Sequence, residues 1–184
     1  MNEVLRQIKR IYLGSKSHDG DDYLRALAKN ISFEFGFDFV LIGTPSESQY
    51  KFIDTMIAVK QGELIDNFSY DLVGTPCENV LTDLDVCTYQ TNVARLFPED
   101  HMLTEMSIEA YSGVPIIDKA GNLFGILAIL SHRPFTDRDH VNMVVDYFGS
   151  RMALELSLHH YEEELQATKN ALAEAQKKLE SHKL

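Results

Sequence analysis

Cysteine is scarce in this chain: Cys77 and Cys87 are the only two among 184 residues. Two thiols make no disulfide framework, and their separation is not the CxxC spacing of a zinc or thioredoxin-like site. We therefore expect a reducing, cytoplasmic setting. No histidine follows either cysteine, so the usual Cys-His bilin attachment has no support. Basic residues are also few. Lys and Arg number 17 against 28 Asp and Glu, for a net charge of −11. That balance argues against sequence-independent binding to nucleic acid or anionic lipid, which needs clustered cations. No apolar run is long enough to span a bilayer. The N-terminus, MNEVLRQIKRIYLGS, has charges throughout and lacks the apolar core of a secretory signal. Glycine-rich phosphate loops and GxSxG elbows are missing too, and no internal repeat or low-complexity tract is visible.

What remains is a hydrophobic content of 45% with 24% charged residues, the profile of a soluble domain with a real core. Residues 2–13 have the spacing of a short amphipathic helix, with Val4, Leu5, Ile8, Ile11 and Tyr12 on one face. A loop leads to a second helix from about Asp22 to Phe35. Asp19 or Asp21 is its expected cap, Leu24, Leu27, Ala28 and Ile31 its buried side, and Gly36 its stop. Strands are expected over 37–43, 52–59 and 63–70, the last two joined by the hairpin signal Lys60-Gln61-Gly62. Residues 74–108 mix short helical pieces with turn residues. The sheet resumes at Glu109 and runs to about Ser131 through the turn Asp118-Lys119-Ala120-Gly121. There the run Ile126 to Leu130 is apolar at every position, as in a strand covered on both faces. The plan is α+β: a central antiparallel sheet with helices on one face and an irregular insert over a pocket on the other.

Within the insert, Thr75-Pro76-Cys77-Glu78 reads as a helix start: Thr75 caps, Pro76 takes the first helical position, and Glu78 reaches back to the cap amide. Cys77 then sits where a helix dipole favours its thiolate. It is either a redox-active, metal-binding or ligand-contacting thiol, or a small apolar filler. Pro98-Glu99-Asp100 marks another helix start before His101. Simple capping is preferred there to a Glu99/Asp100/His101 metal site. The adjacent His159 and His160 point about 100° apart on a helix and read as surface. The carboxylates Asp66, Asp71, Asp83 and Asp85 form no facing pair, so no catalytic group is assigned. Cys77, Tyr111, Tyr70, Tyr89, Phe97, Met102 and Met106, with Phe68, are the candidates to line an apolar cavity with polar tips.

From Thr136, a capping residue preceded by the staple residue Phe135, the pattern is helical to the end. Val141, Val145, Phe148 and Met152 should lie on the sheet. Beyond them Leu158, Tyr161, Leu165, Thr168, Leu172, Ala175 and Leu179 alternate steps of three and four. This is a heptad seam with Leu at every a position. Glu164 and Lys169 occupy g and the following e, which attract across a parallel dimer. Val144, Tyr147 and Leu154 extend the stripe backwards, and the N-terminal helix can join it in a bundle. We expect three parts: an N-terminal dimer helix over 1–14, a domain over 15–156 and a coiled-coil output helix over 157–184. The chain is either the sensor portion of a longer polypeptide or a small protein that signals by assembly.

Residues 70–77 (YDLVGTPC), Leu96-Phe97-Pro98, residues 111–116 (YSGVPI), Gly121, Gly125 and Arg133-Pro134-Phe135 resemble the GAF domain family over about residues 22–156. The subgroup is that of bacterial sensor histidine kinases and diguanylate cyclases. The resemblance implies a regulatory domain with a small-molecule pocket, homodimeric through its terminal helices and joined to an effector. Family members bind cyclic nucleotides, bilins, haem or small metabolites. The motifs of the cyclic-nucleotide and phytochrome branches are absent here, so no cofactor is named. Two rivals accompany this reading. One is a thiol-dependent reductase of the free methionine sulfoxide reductase type, using Cys77 with Cys87; the other is a dimerisation module with a vestigial, side-chain-filled pocket.

Overall fold

A computed structural model describes residues 2–16, 18, 20–46 and 51–181. Two helices, α1 (Asn2–Ser15) and α2 (Gly20–Phe35), precede β1 (Phe39–Pro45), β2 (Phe52–Lys60), β3 (Glu63–Ile65) and β4 (Ser69–Asp71). The insert contributes α3 (Pro76–Asp83), β5 (Cys87–Tyr89), α4 (Val93–Leu96) and α5 (His101–Glu105). β6 (Ala110–Ile117), β7 (Leu123–Ser131) and the 44-residue α6 (Arg138–Ser181) complete the chain. The sheet is antiparallel in the order β3-β2-β1-β7-β6-β5, with β4 also on β2.

The period-two geometry of β7 explains its unbroken apolar run. Leu127 and Ile129 face a core shared with α2 and α6, while Ile126, Ala128 and Leu130 face a second core beneath the insert. β1 divides likewise, Val40 and Ile42 to the helices, Phe39 and Leu41 to the insert. In β6 Pro115 is tolerated because β5 pairs only with residues 111–113, so past Gly113 that side of the strand has no partner among the described strands. The expected single strand over 63–70 is broken. Phe68 turns inward and its amide and carbonyl both bond the Thr55 hydroxyl, which leaves β3 and β4 as separate short pieces on β2.

Turn chemistry follows the sequence closely. Gln61 and Gly62 take positive φ in the β2–β3 hairpin. The Asp118 carboxylate accepts the amides of Ala120 and Asn122 at 2.8 and 2.9 Å. Helix starts follow it less well. α2 begins at Gly20, two residues before the expected start, so Asp21 lies in its first turn rather than at the cap; Asp19 lies outside the described residues. Asp137, not Thr136, caps α6 by accepting the His140 amide at 3.0 Å. The shorter carboxylate there satisfies an otherwise orphan amide and complements the dipole.

Val141, Val145, Phe148 and Met152 are buried against the sheet as their spacing requires. Val144 joins them at 1% exposure and so belongs to the core rather than to the outer stripe. Tyr147 and Leu154 remain exposed. Ser157 is the last buried residue among those described, and the described side chains from Leu158 onward are exposed. α6 is about 66 Å long at 1.5 Å per residue, so much of it extends past the domain. α1 buries only Ile11 and Ser15 fully and leaves Leu5, Tyr12 and Leu13 exposed. It is tied to α2 by Gln7, which donates to the Glu34 carbonyl at 2.6 Å, and by the Arg10–Glu34 ion pair at 2.7 Å.

Leu127 is fully buried on the central strand. Leu127→Ala is expected to cost about 2–5 kcal/mol. Urea denaturation checks this, and a loss below about 1 kcal/mol is incompatible with a closely packed site there.

Candidate functional site

The insert lays α3 and α5 across the face of the sheet opposite α2 and α6. Beneath them is a small cavity of about 30 Å³. Its floor is Leu41, Ala128, Leu130 and Tyr111 on the sheet; its cover is Pro76 and Cys77 of α3 and Met102, Leu103 and Met106 in and after α5. Phe68, Tyr70 and Asp100 close the sides. Five of the seven expected residues thus converge: Cys77, Tyr111, Tyr70, Met102 and Met106. Tyr89 and Phe97 do not reach the cavity. They pack behind it, edge to face at 4.9 Å, with Tyr89 against the Tyr111 ring at 6.3 Å. The Tyr89 hydroxyl is drawn away because it accepts from Asn79 Nδ2 at 2.6 Å.

The polar centre of the wall is a thiol between two phenols. Cys77 Sγ lies 3.4 Å from Tyr70 Oη and 3.2 Å from Tyr111 Oη. The expectation of a thiolate favoured by the helix end is overturned. Burial, only partly offset by these hydrogen bonds, pushes the Cys77 thiol up to about 11. Desolvation of a buried thiol exceeds the field of one short helix. Burial also raises both tyrosines well above their ordinary value. The trio is therefore neutral at pH 7. Cys87, on β5, is also a free thiol with a raised pKa, chiefly from burial and then from Asp83 and Asp85.

Local sequence explains how the trio is held. Thr75 does not cap with its side chain; its hydroxyl instead donates to the Leu72 carbonyl at 2.7 Å. Glu78 reaches back one residue further than expected, accepting the Gly74 amide at 2.8 Å. These bonds and Pro76 seat the first turn of α3 with Cys77 facing down. Asp100 caps α5 by accepting the Leu103 amide at 3.3 Å, as its position before His101 suggested. Its second role, as a carboxylate in the cavity wall whose pKa burial raises, was not anticipated. Gly113 was also missed as a site residue. A Cβ there would lie 2.2 Å from Tyr111 Oη, so the strand leaves this space for the phenol. The pair Tyr-x-Gly on one strand face was the available signal. Among the described residues no group of three His, Cys, Asp or Glu side chains is placed to hold a metal ion.

Behind the site, the residue after Tyr111 points to the other face. The Ser112 hydroxyl donates to Thr88 Oγ1 at 2.6 Å, and the Thr88 hydroxyl donates to Asn142 Oδ1 of α6 at 2.6 Å. Adjacent residues of one strand thus touch the cavity and the long helix.

Two outcomes are expected. Iodoacetamide at pH 8 should label Cys77 only on unfolding; labelling of native Cys77 at the rate of a free thiol would contradict its burial and protonation. The pH dependence follows from the raised folded-state values of Cys77 and its two phenols. Their contribution to stability is complete below pH 9.0, the ordinary thiol value, and Cys77's share is lost as pH rises towards about 11. Thermal denaturation against pH should show that fall, and its Cys77 share should vanish in Cys77→Ala.

Comparison with known proteins gives a consistent picture. The GAF domain family model matches residues 19–156. The GAF domain of an Acinetobacter phosphoenolpyruvate-protein phosphotransferase superposes with a TM-score of 0.65 at 12% identity, covering 89% of this chain and 99% of that one. The corresponding domain from Coxiella burnetii gives 0.68 at 14% identity, with 88% and 96% covered. A bacteriophytochrome from the photosynthetic bacterium R. palustris gives 0.67 at 12% identity, with 90% of this chain but 39% of that protein covered. At these identities the likeness is one of fold. No curated protein matches the chain. No described helix is long and apolar enough to cross a membrane. With the family model spanning most of its length and the sheet, insert and terminal helices in place, the chain belongs to the GAF domain family of regulatory, small-molecule-binding domains.

Proposed function

We propose that this chain is a non-catalytic sensory domain, cytoplasmic and bacterial, that binds a small molecule beneath its insert. It relays the event through paired helices to an effector such as a histidine kinase or a diguanylate cyclase. The observation that carries this reading is the strand connection just described. Tyr111 lines the cavity, and its neighbour Ser112 leads through Thr88 to Asn142 on α6. A ligand that shifts the β6 backbone at Tyr111 strains that connection or moves the helix with it.

A cavity of about 30 Å³ admits little more than a water molecule. An organic ligand therefore requires the cover to lift. The cover suits this: α5 is five residues long, and Met102 and Met106 are flexible thioethers that repack readily. A ligand that prefers the open cover then shifts the population by its difference in affinity for the two states.

Homodimerisation is supported by the exposed stripe Leu158, Tyr161, Leu165 and Leu172, which continues where the domain no longer covers it. Thr168 is exposed on the same seam, while the side chains of Ala175 and Leu179 are outside those described. Leu5, Tyr12 and Leu13 on α1, with Tyr147 and Leu154, supply further exposed apolar surface for a parallel bundle. The domain also touches the coil directly, because the Tyr161 hydroxyl donates to Asp118 Oδ2 at 3.3 Å.

One observation favours a second reading, a dimerisation module with a vestigial pocket: the small cavity volume, with Met102 in its wall. The reductase reading gains no such support, since Cys77 is buried and held protonated. Native mass spectrometry of protein from its own host separates the two surviving readings. A retained small molecule, lost in Gly113→Ala together with the seating of Tyr111, is the expected result. A dimer that never carries a ligand supports the vestigial reading. Sedimentation should show a dimer that Leu165→Lys with Leu172→Lys converts to a folded monomer; a wild-type monomer at about 100 µM, ample for a specific coiled coil, overturns the paired-helix relay.

A further inference from the structure

The face of the sheet away from the insert carries a groove of about 530 Å³, far roomier than the cavity beneath the insert. That volume lies within the range of small-molecule sites. The groove runs between the end of α2, the start of β1, the segment after β7 and the first turns of α6. Its apolar surface is aromatic. Phe35 and Phe37 stack at 5.7 Å, and Phe135 meets Phe37 edge to face at 5.8 Å.

Two polar groups in this lining lack partners. His140 stands edge-on to Phe35 at 5.8 Å, and its Nε2 atom is buried with no hydrogen bond among the described residues. A buried ring nitrogen without a partner is uncommon, because the water it gave up is not replaced. The Arg133 guanidinium on the exposed rim has no hydrogen bond or ion pair from its side chain to any described residue. The other charge in the lining, Asp137, is already committed to capping α6 through the His140 amide.

We propose that this groove is a second ligand site, selective for a small aromatic carboxylate. The aromatic ring of the ligand packs on Phe35 and Phe135. Its carboxylate pairs with the Arg133 fork, the geometry in which guanidinium binds carboxylate best. His140 lies in the same lining with its Nε2 covered, so it adds a second hydrogen bond only where the groove wall opens to uncover that atom. The site is separate from the cavity beneath the insert and does not depend on it. It adjoins the first turn of α6, so an occupant would contact the same helix from the opposite face of the sheet.

The test is an NMR titration of the full chain with phenylacetate, against its uncharged amide phenylacetamide and against acetate. Phenylacetate is expected to shift the His140 ring signals and the amides around Phe35 and Arg133 saturably. Phenylacetamide and acetate should each bind at least about tenfold more weakly, since each lacks one half of the recognition. Arg133→Gln, an exposed change that leaves the core intact, should weaken phenylacetate by about tenfold and leave phenylacetamide unchanged. No saturable shift up to about 10 mM phenylacetate, a concentration reporting even weak binding, overturns the proposal. Equal affinity for acid and amide also overturns it, as does indifference to Arg133→Gln. Shifts centred on Tyr111 and Met102 would place the probe beneath the insert and reject the groove alone.

Discussion

Burial of the β1–β7–β6 sheet on both faces is the constraint on which the rest of this protein depends. A strand whose side chains alternate between two dry layers has no solvent face, so each layer must be closed by something else. On one side α2 and α6 close it with Leu24, Leu27, Val145, Phe148 and Met152. On the other side no long helix is available, and the insert closes it with Cys77, Val80, Val93 and Leu103. A long helix lies flat and seals its layer. Short helices joined by turns seal theirs imperfectly, and the imperfection is the cavity.

The same constraint sets the chemistry of the site. A thiol and two phenols in a dry layer lose their water and bond one another, so they are held neutral by desolvation. The helix end beside Cys77 would favour an anion in an open setting, but complete burial outweighs it. The site is thus suited to recognition by shape and hydrogen bonding and poorly suited to thiolate chemistry. Alternation also links the layers: Tyr111 and Ser112 are covalent neighbours that serve opposite faces. The hydroxyl chain from Ser112 to Asn142 gives a displacement at the cavity a short physical route to α6.

Much of this was legible in the order of residues, for identifiable reasons. The apolar run at Ile126–Leu130 announced a two-sided central strand. Gln61-Gly62 and Asp118 to Gly121 announced their hairpins through turn chemistry that acts within a few residues. Convergence of Cys77, Tyr70, Tyr111, Met102 and Met106 could be expected because an irregular cover over a sheet must drop its apolar side chains towards it. Tyr89 and Phe97 shared that composition, but their contact with each other and the pull of Asn79 turned them behind the wall. Asp100 was visible as a cap; its place in the cavity wall depended on where α5 lands.

By itself the sequence determined the α+β plan, the strand pattern, most turns and the continuation of an apolar stripe along α6, because these rest on periodicity and on bonds between near neighbours. Tertiary structure alone decided that the cavity is small and Cys77 protonated. It decided that Val144 is core rather than seam, that Gly113 makes room for a phenol, and that His140 and Arg133 share an aromatic groove. Those properties depend on distances between segments far apart in the chain, and on how completely water is excluded between them. Neither is encoded in any local pattern.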